Sequence, residues 1–293
     1  MRLAIVVVFV AGCELLANIP SYTGSSADGA VGDGVTDDGS LTDSPIDAAP
    51  ECTMSTQCTA PETCIRGECG LCDNTGGSLT IVGLTLVGNQ QYNALCFGAT
   101  GTASTLAYFR VTSMSGAYGI GGFSCTIDVR RSTLVQQTQM GGYIQQGSLQ
   151  LINSIVMGSA RSGIFLTGDV AARIEHSTIA GNTSTDMSAA GITCGAANET
   201  IVSSIIWGNV GTTPIDPACA INYSVVEPSY VGGVGNVRTD PMFVAAGDFH
   251  IQATSPARGA ADPASTVTVD RDFQPRPQGT PPGPNDSGAD EVP

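Results

Sequence analysis

From about residue 78 onward, apolar and polar positions alternate in short bursts, and the bursts repeat. Seven copies of one pattern read Ile81-Val-Gly-Leu-Thr-Leu86, Tyr108-Phe-Arg-Val-Thr-Ser113, Val129-Arg-Arg-Ser-Thr-Leu134, Leu151-Ile-Asn-Ser-Ile-Val156, Ile174-Glu-His-Ser-Thr-Ile179, Ile201-Val-Ser-Ser-Ile-Ile206 and Ile221-Asn-Tyr-Ser-Val-Val226. Their fourth positions are spaced by 27, 21, 22, 23, 27 and 20 residues. Upstream of the copies, Ile127 and Val129 flank Asp128, and Leu149 and Leu151 flank Gln150. Alternation with period two over a few residues predicts a short strand with one buried face. A helical repeat would need apolar residues at i, i+3, i+4 and i+7 over ten or more positions, and a leucine-rich repeat would need several leucines per copy. Neither pattern is present.

The stretches between copies are turn material. Gly88-Asn89, Gly158-Ser159, Gly181-Asn182 and Gly208-Asn209 sit at one offset, where Gly supplies positive φ and Asn tolerates it. A second strand signal precedes the later copies at Gly119-Ile120, Gly142-Tyr143, Gly163-Ile164 and Gly191-Ile192. Two or three short strands per turn of about 22 residues make one coil of a stacked solenoid. The expected fold is all-β, with about seven coils forming a rod roughly 34 Å long. Stacking would align Ser132, Ser154, Ser177, Ser204 and Ser224 in one column.

Residues 79–293 resemble the right-handed parallel β-helix proteins, and the run Ala172-Arg-Ile-Glu-His-Ser-Thr-Ile-Ala-Gly-Asn182 is similar to that family's coil. Asp240-Pro-Met-Phe243, Gly247-Asp-Phe-His-Ile251, Ser255-Pro-Ala257, Asp270-Arg-Asp272, Pro275-Arg-Pro277 and Ser287-Gly-Ala-Asp-Glu291 resemble the terminal block of secreted bacterial members. Phe273 stands where a Gly is usual in that block, and Ser287 where an apolar residue is usual. The resemblance implies a surface or secreted protein. Members of the family are often polysaccharide lyases or glycoside hydrolases.

The N-terminal sequence adds an address. Met1-Arg2 and the apolar run from Leu3 to Ala11 read as an export signal, and Val10-Ala11-Gly12-Cys13 resembles a lipoprotein processing site. The expected organisation is a signal peptide over 1–12, an acylated Cys13 with a flexible acidic tether over 13–50, a Cys-rich segment over 51–73, the β-helix over 74–245, and a closing coil and strap over 246–293. The expected location is the bacterial cell envelope, as an outer-membrane or cell-surface lipoprotein, or otherwise secreted. The membrane would be a partner only through acyl chains on Cys13. In an exported protein dense cysteine means disulfides. Cys52, Cys58, Cys64 and Cys69 resemble a small four-Cys knot, and zinc on Cys69-Gly-Leu-Cys72 is the competing reading. Cys194 with Cys219 is the expected solenoid disulfide, and Cys96 is expected to pair with Cys125 or Cys72.

Charge narrows the partners. The net charge is −15 with no lysine, so all 11 cationic side chains are arginines. Such a chain does not attract nucleic acid or an anionic membrane. It also lacks the lysine base of many lyases, and it carries no Gly-His-Gly segment. One patch remains as candidate chemistry. Asp128, Arg130 and Arg131 share offsets with Arg173, Glu175 and His176 two coils on. Asp270, Asp272, Asp286, Asp290 and Glu291 are candidate calcium ligands, with no EF-hand spacing. His176 reads as a turn or surface residue and His250 as structural. Trp207, one place past inward Ile206, is a candidate exposed sugar platform, whereas Tyr108 reads as core. The scarcity of aromatics argues against a ring-lined groove. The leading expectation is a non-catalytic surface protein that needs no cofactor and binds extracellular polysaccharide or serves adhesion. The alternatives are a lyase or hydrolase acting along the solenoid flank, and a structural envelope component.

Overall fold

A computed structural model describes residues 78–290 apart from 84, 88–91, 99–103, 187, 196–197 and 278–283, together with the backbone of 64–65 and 68–69. The signal peptide, Cys13, the tether, Cys52, Cys58, Cys72 and the side chains of Cys64 and Cys69 lie outside the described residues.

The elements in chain order are β1 (Cys64–Ile65), β2 (Glu68–Cys69), β3 (Ser78–Val82), β4 (Thr85–Val87), β5 (Tyr92–Phe97), β6 (Thr105–Phe109) and β7 (Thr112–Met114). The middle of the chain forms β8 (Tyr118–Arg130), β9 (Thr133–Val135), β10 (Met140–Ile152), β11 (Ile155–Met157), β12 (Ser162–Glu175), β13 (Thr178–Ala180) and β14 (Ile192–Thr193). The last are β15 (Glu199–Val202), β16 (Ile205–Trp207), β17 (Ile221–Asn222), β18 (Val225–Val226), β19 (Phe243–Ala245) and β20 (Asp248–Ile251). All described elements are strands. β1 and β2 pair antiparallel, with Cys64 opposite Cys69.

From β3 to β18 every pairing is parallel and joins one coil to the next, the arrangement of a β-solenoid. The coil has three faces. The first carries β5, the front halves of β8, β10 and β12, and β14. The second carries β3, β6, the back halves of the same long strands, β15 and β17. The third is a 7-stranded sheet in the order β18-β16-β13-β11-β9-β7-β4. Seven stacked strands make about six turns from first to last.

The first and sixth positions of the sequence repeat are the core. Ile81, Tyr108, Val129, Leu151, Ile174, Ile201 and Ile221 stack along the second face, none more than 3% exposed. Leu86, Ser113, Leu134, Val156, Ile179, Ile206 and Val226 stack along the third. Burying each aliphatic side chain contributes roughly 1.5–3 kcal/mol. Tyr108, read as core, is 1% exposed.

Between the second and third faces the chain turns through one left-handed residue per coil. Gly83, Arg110, Arg131, Asn153, His176, Ser203 and Tyr223 have φ between 46° and 69°. The serine column follows it. Each Ser Oγ donates to the carbonyl two residues back and accepts the backbone N–H of its counterpart one coil earlier, as in Ser132 N to Ser154 Oγ at 3.1 Å and Ser154 N to Ser177 Oγ at 3.2 Å. At the far end Asn236 Oδ1 replaces the next serine and accepts from Ser224 N at 3.0 Å. Asn182 and Asn209 form a similar ladder at the next corner, after Gly181 and Gly208 with φ 63° and 68°.

Among the described residues two buried disulfides tie neighbouring coils, Cys96–Cys125 and Cys194–Cys219. The second is the expected pair, and the structure selects Cys125 over Cys72 for Cys96.

One alignment differs by a residue from the sequence reading. Gly141, not Gly142, is level with Gly119 and Gly163, because Met140 pairs with Tyr118 and Ser162. A Cβ at 119, 141 or 163 would run into a backbone carbonyl of the next coil at 2.5 Å. Gly142 instead lies in the inward row of Ile120 and Ile164, and Tyr143 points outward. One step of register exchanges the two faces of a strand.

Candidate functional site

The exterior of the second face carries the charged patch. Register places Asp128, Gln150 and Arg173 in one row and Arg130, Ile152 and Glu175 in the next, as their shared offsets require. Arg130 Nε binds Asp128 Oδ1 at 2.8 Å, and its Nη2 donates to Gln150 Oε1 at 3.0 Å. Arg173 pairs with Glu175, whose side chain is only 2% exposed. Arg130, Gln150, Ile152 and Arg173, with Arg131, Asn153 and strap residues Thr266 to Val269, line a cleft of ≈ 250 Å³. Arg131 is a structural member. Its Nε donates to Asp270 O at 3.1 Å, and its guanidinium lies 4.4 Å from the Phe273 ring centroid and 5.5 Å from that of Phe109. Desolvation and the adjacent Arg130 lower its pKa. Every arginine of the cleft is thus already engaged.

What closes the cleft is the strap, whose described residues 257–277 and 284–290 run back along the left-handed corner. Asn153 Nδ2 donates to Val269 O at 2.8 Å, and Arg271 Nη1 to Ser132 O at 3.0 Å. Gly288 N donates to Ser203 O at 2.8 Å, and Ser287 Oγ to Tyr223 O at 3.0 Å. This explains both departures from the family block. Phe273 takes φ 69°, the conformation that favours Gly, and its ring supplies the stack on Arg131. Ser287 is fully buried because its hydroxyl reaches the corner.

His176 belongs to this contact, and its reading as a surface residue is corrected. It holds the turn, with φ 46°, but is 0% exposed. Its Nδ1 lies 3.1 Å from Asp286 O and its Nε2 2.9 Å from Ser265 Oγ, whose hydroxyl also reaches Glu175 Oε1 at 2.7 Å. Burial, then the neighbouring Arg276 cation, push its pKa well below the ordinary value. Trp207 is not an open platform either. It is half-buried against the Ile205, Val225, Ile251 and Ala257 cluster under the cap.

The acidic candidates divide. Asp270 is buried and its Oδ1 accepts from Asp272 N and Gln274 N at 2.9 and 2.7 Å, so it shapes a turn. Asp286 Oδ1 accepts from Gly259 N at 2.7 Å. Asp272 and Asp290 come together with His250, all three donor atoms lying within 4.8 Å of one another. His250 Nδ1 also meets Asp248 Oδ1, and this bond comes first among the causes that raise the His250 pKa. Glu291 lies outside the described residues.

The largest feature the sequence reading missed is aromatic. Tyr92 and Phe97 of β5, Tyr118 and Phe123 of β8, Tyr143 of β10 and Phe165 of β12 gather on the outside of the first face, each half-buried. The ring pairs Tyr92–Tyr118, Phe97–Phe123 and Tyr143–Phe165 are stacked with centroids 4.6, 4.9 and 5.6 Å apart. Phe123 and Tyr143 join the sets at 5.7 Å. Gly121 makes the room, since a Cβ there would lie 2.4 Å from the Tyr92 ring. Burial, with Tyr118 and Tyr143 nearby, pushes the Tyr92 phenol up to about 12, so it stays a neutral donor. The signal available in the sequence was the recurrence of Tyr or Phe near the second strand mark, hidden by the one-residue slip.

Neither a family model nor a curated protein matches the chain. Among solved structures, the crystal structure of pectate lyase Pel9A matches with a TM-score of 0.49 and 12% identity, over 76% of this chain and 68% of that one. A likeness at that level lends no argument about activity.

Proposed function

We propose that the solenoid is a non-catalytic module that binds an extended extracellular polysaccharide on the aromatic first face. The observation that carries the reading is the run of six half-buried rings over four successive coils. The rings stack face to face between coils, so a sugar chain lying along them packs its apolar C–H groups on a continuous row of ring edges. Coils repeat at ~4.8 Å, close to the advance of one pyranose in an extended chain. The rings are held by backbone register on a rigid sheet, so little ordering entropy is lost on binding. On this reading the acidic tether and an acylated Cys13 display the module at the cell envelope.

The charged cleft supports this reading over a lyase. Its arginines are ion-paired or hydrogen-bonded to Asp128, Glu175, Gln150 and the strap, which holds them as guanidinium cations and leaves none in the cleft free to serve as the proton-abstracting base.

The test is gel retardation of the protein against a panel of neutral and acidic polysaccharides, with absorbance of unsaturated products followed in the same samples. Retardation without product is expected. Tyr143→Ala is expected to weaken it about tenfold, the scale of one well-packed anchor of roughly 1.4 kcal/mol. Unsaturated product would overturn the non-catalytic reading. Retardation unaffected by Tyr143→Ala and Phe123→Ala would remove the aromatic face from it.

A further inference from the structure

Three separate segments of the C-terminal cap converge on one imidazole. His250 lies on β20, Asp272 in the strap turn, and Asp290 in the terminal segment 284–290. Asp248, two residues before His250, takes both the His250 backbone N–H at 3.1 Å and ring atom Nδ1. That contact fixes the orientation of the ring and leaves Nε2 on the side away from Asp248. Nε2 then points at Asp272 Oδ2, 3.2 Å away, and at Asp290 Oδ1, 4.0 Å away. The three groups can hold one positive charge between them, either as the ring's own proton shared with Asp272 or as a metal ion that replaces it.

We propose that His250 Nε2, Asp272 Oδ2 and Asp290 Oδ1 form a zinc-class divalent metal site that staples the cap. The cluster is more than a gathering of acids. It combines one nitrogen with two oxygens and adds a carboxylate on the far ring nitrogen, the outer-shell arrangement by which histidine ligands are oriented. Donors about 2.1 Å from a tetrahedral zinc stand roughly 3.4 Å from each other. The observed 3.2 and 4.0 Å bracket that separation. Calcium prefers six to eight oxygens and fits a nitrogen-centred set poorly. The three donors are also unequal in exposure. The Asp290 side chain is 9% exposed and those of His250 and Asp272 are 53% and 45%, so the site has a buried floor and an open side for water ligands. An ion held there would join the hairpin β19–β20 to the strap turn at Asp272 and to the segment 284–290.

The experiment is zinc titration of the full chain by calorimetry, with thermal unfolding in zinc and in calcium, for the wild type, His250→Gln, Asp272→Asn and Asp248→Asn. Comparing variants removes any zinc held by the N-terminal cysteines. The wild type is expected to bind one equivalent more than His250→Gln, and zinc to raise its midpoint by a few degrees but not that of the variant. Asp272→Asn is expected to bind that equivalent at least tenfold more weakly, and Asp248→Asn about 10–100-fold more weakly with unchanged stoichiometry. His250 is half exposed, so His250→Gln is expected to fold, and Asp272→Asn gives the same reading independently. Equal zinc uptake by wild type and both ligand variants would overturn the site. A calcium-induced midpoint rise matching that of zinc would overturn its metal class.

Discussion

At the scale of the residue, the left-handed corner decides much of the molecule. Six non-glycine residues hold positive φ there, each at a cost of roughly 1–2 kcal/mol. Their side chains or carbonyls are what the strap grips. His176 is the most consequential. It is buried between Asp286 O and Ser265, with Glu175, Arg173 and Arg276 around it. Its folded pKa lies below that of the unfolded chain, so below about pH 6.5 the unfolded state binds the extra proton. Stability from this group is therefore full above pH 6.5 and is lost as pH falls toward its depressed folded value, with a slope of up to about 1.4 kcal/mol per pH unit. Thermal midpoints measured from pH 7.5 to 5 should fall more steeply for the wild type than for His176→Gln, and parallel curves would count against this role.

At the scale of the element, each coil is a weak unit held by neighbours, and the disulfides act between neighbours. Cys194–Cys219 closes 25 residues and Cys96–Cys125 closes 29, about one coil each. In the chain-entropy treatment a loop of this size contributes about 3–4 kcal/mol. Cys194→Ala/Cys219→Ala should lower the unfolding free energy by that amount in urea titration, with the β-rich circular dichroism spectrum retained below the midpoint. A loss under about 1 kcal/mol would mean that the stacked core alone holds these coils. The aromatic face is also an element-level property, because it exists only when β5, β8, β10 and β12 stack in their observed register. The repeat positions 1 and 6 were readable from the sequence because the same inward row demands an apolar residue in every coil. Tyr143 was not, because Gly141 and Gly142 offer two registers and only the close approach of the next coil's carbonyl selects Gly141.

At the scale of the whole molecule the solenoid is one-dimensional. Its central coils have neighbours on both sides, whereas β3 and β17 end the second-face stack. Stability in such stacks is a sum over neighbour contacts and opening starts at the ends. Amide exchange should be slowest in β8, β10 and β12 and faster in β17 and β18, where the strands shorten to 2 residues. Uniform protection across all coils would indicate that the strap, rather than neighbour stacking, sets global cooperativity.

The sequence by itself determined the coil. A period near 22 residues with inward apolar sites, serines before the third face and Gly-Asn corners leaves one economical way to bury the apolar rows, and it names Cys194 with Cys219. These are local or nearest-neighbour facts that recur down the chain. Tertiary structure alone decided what happens between residues far apart. It folded the strap back over the corner and buried His176. It committed Arg130, Arg131 and Arg173 to partners, and it aligned rings from four coils. It brought Asp290 and Asp272 to His250 while turning Asp270 away. Such contacts occur once each, so no periodicity announces them. They depend on register and on the path of one non-repeating segment, which the alternation of apolar and polar residues does not encode.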